Sequence, residues 1–93
     1  MILHSKKNSI HDEYFVTDQV LGKGEAAKRP VVLCINKKTN IKYALKVLED
    51  NRDSRREIST HWAACLNTDY VVKIVDLFEC SRSRKKYLLL VLE

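Results

Sequence analysis

Glycine and proline are scarce in this chain: Gly22, Gly24 and Pro30 are the only ones among 93 residues. That rules out collagen-like and linker-rich sequence, both of which need these residues in quantity. Aromatic residues make up 8%, and they are not interleaved with the basic side chains as stacking platforms for nucleic acid require. The longest apolar run, residues 87–92, is far short of the roughly 20 residues of a membrane-spanning helix, so no membrane partner is expected. No apolar stretch follows Lys6 and Lys7 at the N-terminus, so no secretory signal is legible. The three cysteines, Cys34, Cys65 and Cys80, are odd in number and form no CxxC pair. This argues against a disulfide framework and a zinc site, and for reduced thiols in an intracellular protein, cytoplasmic or nuclear. His4, His11 and His61 are scattered, and none stands at metal-ligand spacing from a cysteine or carboxylate.

Apolar residues are plentiful. They make up 45% of the chain, too much for disorder, and the length suits one domain. A domain this small buries only about two-thirds of its unfolded surface, so its stability margin is thin. The net charge of +5 is uneven. Residues 1–46 hold nine Lys/Arg against four Asp/Glu, whereas residues 47–93 hold eight of each. A basic half points to polyanions such as nucleotide phosphates, nucleic acid or acidic surfaces, or to a solvated face.

Residues 1–13 show no period and read as an N-terminal extension compatible with partial disorder. Residues 14–21 are rich in β-branched and aromatic side chains and predict a strand ended by Gly22. A turn follows over residues 22–24, then a short strand over 31–35 that Pro30 precedes, where its missing N–H does least harm. The polar run 36–40 is a hairpin loop. Residues 42–48 alternate, with Tyr43, Leu45 and Val47 on one face and Ala44, Lys46 and Leu48 on the other. Ile58, Trp62, Cys65 and Leu66 then recur at helical spacing, predicting an amphipathic helix over 53–66. Ser54 to Glu57 fits a capping box, with Asp53 the competing N-cap. Strands over 71–78 and 86–92, joined by a basic turn over 81–86, complete a β-β-β-α-β-β order. The fold class is α+β, a five-stranded antiparallel sheet with one helix.

Three short motifs bear on chemistry. The turn at Gly22 and Gly24 can bring backbone N–H groups close to phosphates, and Lys23, Lys28 and Arg29 flank it. An ordinary β-turn explains the same glycines. Ala44-Leu45-Lys46 places a small residue and a lysine on one face of a strand, where a flat ring and phosphate oxygens could meet them. A solvated lysine is the plain alternative. Glu57, eleven residues after Lys46, could pair with that lysine or only close its own capping box.

Taken in order, these elements resemble the N-terminal lobe of a protein kinase, and more narrowly the MAP-kinase-activated protein kinase family of Ser/Thr kinases. Residues 36–39 (NKKT), 43–46 (YALK), 55–57 (RRE), 61–62 (HW) and 72–76 (VKIVD) carry the likeness, which covers residues 14–93. The resemblance implies ATP as the bound cofactor. Leu21 and Val31 would cover the adenine, and Gly22 and Gly24 would let the loop approach the phosphates. Ala44 would line the adenine pocket, Lys46 would bind the α- and β-phosphates, and Glu57 would pair with Lys46. Leu92 would sit behind the adenine as gatekeeper, and Glu93 would begin the hinge with its carbonyl toward the adenine amino group.

Some features depart from the pattern. Ala27 stands where the loop's third glycine is expected, and Arg29-Pro30 reads as a two-residue insertion that forces the second strand to start late or bulge. No His-Arg-Asp catalytic loop and no Asp-Phe-Gly magnesium ligand occur in these residues. The resemblance therefore implies a lobe that transfers phosphate only with a C-lobe, and that alone is inactive and binds ATP weakly. The exposed face would need that C-lobe or a protein partner. A non-catalytic interaction module that retains the lobe's fold is the alternative.

Overall fold

The computed structural model describes residues 3–22 and 30–93. Strands β1 (Tyr14–Gly22), β2 (Val31–Asn36) and β3 (Lys42–Glu49) come first, then helix α1 (Arg52–Asn67), then β4 (Ile74–Arg82) and β5 (Lys85–Leu92). Every pairing is antiparallel, and the strand order is β1-β2-β3-β5-β4. This is the kinase N-lobe-like α+β fold expected. Among the described residues no helix is long and apolar enough to cross a membrane.

Strand β5 sits between β3 and β4, and its side chains feed both faces of the sheet. Leu89 and Val91 join Tyr14, Cys34, Leu45 and Phe78 in one cluster, with Ile10 closing it from outside the sheet. Leu88 and Leu90 join Ile58, Ile74 and Leu77 in the other, with Trp62 and Cys65 of α1 packed against them. A strand buried on both faces needs no polar alternation, which explains the uninterrupted apolar run at the end of the sequence. The aromatics of the first cluster meet edge to face: Tyr14 lies 6.0 Å from Phe78 and 6.1 Å from Tyr43, centroid to centroid. Cys34 is fully buried there, and desolvation pushes its thiol pKa up to about 11, the state of an inert core residue.

Several boundaries differ from expectation, each for a local reason. Helix α1 starts at Arg52, because Asn51 is its N-cap and accepts a hydrogen bond from Ser54 N at 2.8 Å. Neither Asp53 nor Ser54 caps it. Strand β4 starts at Ile74, three residues late, because the segment before it serves the helix. Lys73 Nζ donates to Cys65 O at 3.0 Å and Thr68 O at 2.8 Å, supplying the cation that the helix's last turn lacks. The ring of His61 reaches Val72 O at 2.6 Å. At the other hairpin the strands run on through the basic residues, leaving a turn of Ser83 and Arg84 alone. Their φ values of 51° and 67° are the left-handed pair a two-residue hairpin turn requires. Strand β2 follows Pro30 directly, and the irregularity expected near it falls on β1, where the register shifts between Val16 and Val20 and again before Gly22.

Residues 3–13, expected to stand outside the lobe, pack against it. Lys6 forms a parallel bridge to Phe78, with Lys6 N donating to Leu77 O at 2.7 Å and Glu79 N donating to Lys6 O at 3.0 Å. The segment thus pairs with the outer edge of β4, which would otherwise present open backbone groups. Lys6 Nζ reaches Glu13 at 2.7 Å and Asp76 at 3.1 Å and lies 5.4 Å from the centre of the Phe78 ring. The Tyr14 hydroxyl donates to Asp76 at 2.5 Å. A 3₁₀ turn, Ile10–Asp12, then buries Ile10 and leads into β1. Periodicity misses such a segment because it holds by one bridge, two well-separated apolar residues, Leu3 and Ile10, and long-range ion pairs.

Removal of the central ring tests this packing. Phe78 is 0% exposed and Phe15 is 58% exposed. Phe78→Ala is expected to destabilise the fold by about 3–5 kcal/mol in urea titration, and Phe15→Ala by less than about 1 kcal/mol. The charges give a second test. Hydrogen bonds from Lys6, Arg55 and Lys7 hold Glu13, Asp50 and Glu79, respectively, below the ordinary carboxylate range. Their stabilisation is complete above the unfolded carboxylate values near 4 and is lost as pH falls through the lower folded values. Denaturation midpoints should therefore decline on acidification below about pH 5, and Glu13→Gln should flatten part of that slope.

Candidate functional site

Strand β3 carries Ala44, Lys46 and Leu48 on the side of the sheet that faces α1. The register shows this: Ala44 pairs with Leu92, Lys46 with Leu90 and Leu48 with Leu88, and all three partners belong to or border the cluster beneath the helix. Helix α1 buries Ile58, which sets its neighbour Glu57 at the margin of that contact. Lys46 Nζ and Glu57 Oε1 meet at 2.9 Å. Glu57 therefore does not reach back to a capping box. It is more than half exposed and Lys46 is partly so, at 57% and 28% for the side chains. An ion pair this open contributes roughly 0–1 kcal/mol, so the fold gains little from it. What the pair does is bias the lysine ammonium toward the helix.

The surroundings extend along one row of the sheet. Leu33, Ala44, Leu92 and Ile74 are successive register partners across β2, β3, β5 and β4. Val31 lies two residues before Leu33, hence on the same face, and pairs with Gly22 of β1. The sheet thus sets Gly22, Val31, Ala44, Lys46 and Leu92 along adjoining strands. Helix α1 covers only part of this face. The cluster beneath it draws on the N-terminal segment, β3, β4 and β5, and none of its described residues comes from β1 or β2. Leu21, at the end of β1, is 48% exposed. Glu93 follows β5 and is tied down by its backbone N–H, which donates to Lys73 O at 3.0 Å. Gly24, Ala27 and the cations Lys23, Lys28 and Arg29 lie outside the described residues.

Gly22 is informative because the protein itself does not require it. Its φ is not in the left-handed region, and among the described residues a Cβ placed on it would meet nothing within 4 Å. Neither backbone strain nor close packing accounts for the absence of a side chain.

Human MAP kinase-activated protein kinase 2 is 45% identical to this chain over 91 residues, 98% of the chain and 22% of the human protein. The kinase of the same name from Drosophila melanogaster is 39% identical over 88 residues, 95% of the chain and 24% of the fly protein. MAP kinase-activated protein kinase mak-1 of Caenorhabditis elegans is 37% identical over 87 residues, 94% of the chain and 16% of the nematode protein. Its homologues are MAP kinase-activated protein kinases. No protein-family model matches the chain. The chain spans about a quarter or less of the length of the curated kinases it matches.

Several well-defined groups escaped the sequence reading. Asp50 accepts both Nε and Nη2 of Arg55, at 2.6 and 2.8 Å, a two-pronged guanidinium–carboxylate pair across the start of α1. Glu79 of β4 takes Ser5 and Lys7 from the N-terminal segment, and Arg55 approaches it at 3.5 Å. The sequence signal was slight: a spacing of five between Asp50 and Arg55, and nothing at all linking residues 5–7 to residue 79.

Because the kinase-like lysine pair contributes so little to the fold, Glu57→Gln and Lys46→Met should each shift the denaturation midpoint by less than the equivalent of about 1 kcal/mol. A larger shift in either would mean that the pair is part of the core's support.

Proposed function

We propose that this chain is the ATP-binding N-terminal lobe of a MAP kinase-activated-kinase-like Ser/Thr protein kinase. The observation that carries the reading is the 2.9 Å pair between Lys46 and Glu57, with Lys46 two residues along β3 from Ala44 on the same face and paired with Leu90 as Ala44 is with Leu92. Kinase homology over 98% of the chain supports it independently.

On this reading the adenine lies against Ala44, whose small side chain leaves room for a ring, between Leu21 and Val31 on one side and Leu92 behind. Glu93 offers its carbonyl to the adenine amino group. Gly22, with Gly24, brings the backbone to the phosphates. Lys46 holds the α- and β-phosphate oxygens, and Glu57 keeps the ammonium from swinging into solvent. Phosphoryl transfer depends on such positioning and on neutralising charge, more than on covalent chemistry by the protein. This lobe supplies the first half of that apparatus. The basic excess of residues 1–46 suits a polyphosphate.

Magnesium, which the homology implies for a whole kinase, does not fit the groups present. The one carboxylate bonded to Lys46 is committed to it, and no three His, Cys, Asp or Glu side chains converge as a ligand set among the described residues. No step is assigned to a metal here. Transfer to protein Ser/Thr would need a C-lobe, which would cover apolar side chains such as Leu21, Leu66 and Val72 that are about half exposed.

Calorimetric titration with ATP tests the reading. Lys46→Ala should weaken binding roughly ten- to a hundredfold, the range for losing a hydrogen bond to a charged group. Gly22→Ala should hold or slightly raise the denaturation midpoint yet weaken ATP, since its Cβ would occupy space the protein leaves open. Equal heats in wild type and Lys46→Ala, or no heat in either, would overturn the proposal and favour a non-catalytic module.

A further inference from the structure

Glu57 lies in the part of α1 that no apolar contact fixes. The helix begins at Arg52, and its first buried residue is Ile58. Between them, residues 52–57 present Arg, Asp, Ser, Arg, Arg and Glu, all exposed or half-buried. Beyond the Asn51 cap, the side-chain anchor in this stretch is Arg55. Its guanidinium grips Asp50 through two nitrogens, and Asp50 is itself fastened to β5 by its backbone N–H, which donates to Lys86 O at 2.9 Å. The Asp50 side chain is only 11% exposed, unlike an ordinary surface partner. From the other side Glu79 of β4 approaches Arg55 at 3.5 Å. Glu79 is in turn bound by Ser5 and Lys7, which the Lys6 bridge holds on the edge of β4. A continuous polar chain therefore runs from the N-terminal segment through Glu79 and Arg55 to Asp50, and Arg55 lies two residues before Glu57.

We propose that Arg55 is a positioning residue for the nucleotide site: its fork onto Asp50, backed by Glu79, sets the first turns of α1 so that Glu57 stays on Lys46. Through Ser5 and Lys7, the N-terminal segment bears on the same lysine from the far edge of the sheet. The inference rests on the reading of Lys46 as the ATP lysine for its meaning, though not for its geometry. A fork of two parallel hydrogen bonds fixes direction as well as distance, which lysine at the same position could not reproduce.

The test reads the lysine itself. In the full chain without nucleotide, the rate at which Lys46 is acylated by an amine-reactive ester is followed by mass spectrometry, alongside ATP affinity by calorimetry. Glu57→Gln frees the ammonium and should raise acylation about two- to fivefold, the range for losing one exposed pair. Arg55→Ala should raise it by a similar factor, Arg55→Lys should restore it only in part, and Arg55→Ala with Glu57→Gln should equal Glu57→Gln alone, because both act on one interaction. Glu79→Gln should give a smaller rise, and Arg56→Ala none. If Arg55→Ala unfolds the chain, Arg55→Lys and Glu79→Gln carry the comparison. Acylation at the wild-type rate in Arg55→Ala or, failing that, in both substitutes overturns the positioning role. Should acylation respond as expected while neither wild type nor Lys46→Ala binds ATP, the positioning stands and the nucleotide reading falls. Should Lys46→Ala weaken ATP while the Arg55 variants leave acylation and affinity untouched, only the positioning falls.

Discussion

Everything in this molecule is arranged around a strand that is apolar on both sides. Leu88 and Leu90 point toward the helix while Leu89 and Val91 point toward the aromatic cluster, so β5 gives each cluster two buried side chains. A strand with no polar face cannot lie at an edge, and β3 and β4 accordingly flank it. Those two neighbours inherit their facing from it. Once Leu45 and Val47 are drawn to the aromatic side, alternation sends Ala44 and Lys46 to the helix side. The face on which the lysine stands follows from hydrophobic burial elsewhere in its strand, before its ammonium meets Glu57.

The helix half of the pair is settled differently. Ile58, Trp62 and Cys65 seat α1 over β4 and β5, leaving the face of β1 and β2 outside that contact. Burial of Ile58 decides which way the helix rolls, and Glu57, one position earlier, is carried to the rim of the contact. Its first turns need a separate hold, which the Asn51 cap and the Arg55 fork provide. Apolar burial is strong but non-directional, whereas a bidentate ion pair is weak overall but directional. The two are used where each is suited, one to join the elements and the other to aim them.

This division also explains what could be read in advance. Strand β3 was legible because its two faces alternate without exception, and α1 was legible because Ile58, Trp62 and Cys65 repeat at helical spacing. Lys46 and Glu57 were legible as a pair because the kinase-like pattern links them. The N-terminal segment was not legible. Lys6 finds Phe78 and Asp76, and Ser5 and Lys7 find Glu79, across seventy or more positions of sequence, and no local period records a contact made by one backbone bridge. The start of β4 was misplaced for a related reason: Val71 and Val72 look like strand residues, but Lys73 turns back to the helix carbonyls and holds that stretch as a cap. Cap and bridge geometry is set by the assembled structure and leaves little trace in composition.

Gly22 and Lys46 share a property that sets them apart from the core. Neither is required by the fold: a side chain at Gly22 would meet nothing, and the ion pair of Lys46 is too exposed to stabilise much. A glycine within a strand weakens it, and an immobilised lysine gives up side-chain entropy. The two small disadvantages lie on β1 and β3, with β2 between them, toward the part of the sheet the helix leaves open. Such local disagreement with the requirements of folding is what a site for an external group produces, because the compensating contacts come from the ligand. A solvated turn and a surface lysine would account for either residue alone. The proposed nucleotide would account for both together, since Gly22 is paired with Val31 and Lys46 stands one pair beyond Ala44 and Leu92, and the charge of the lysine suits its phosphates.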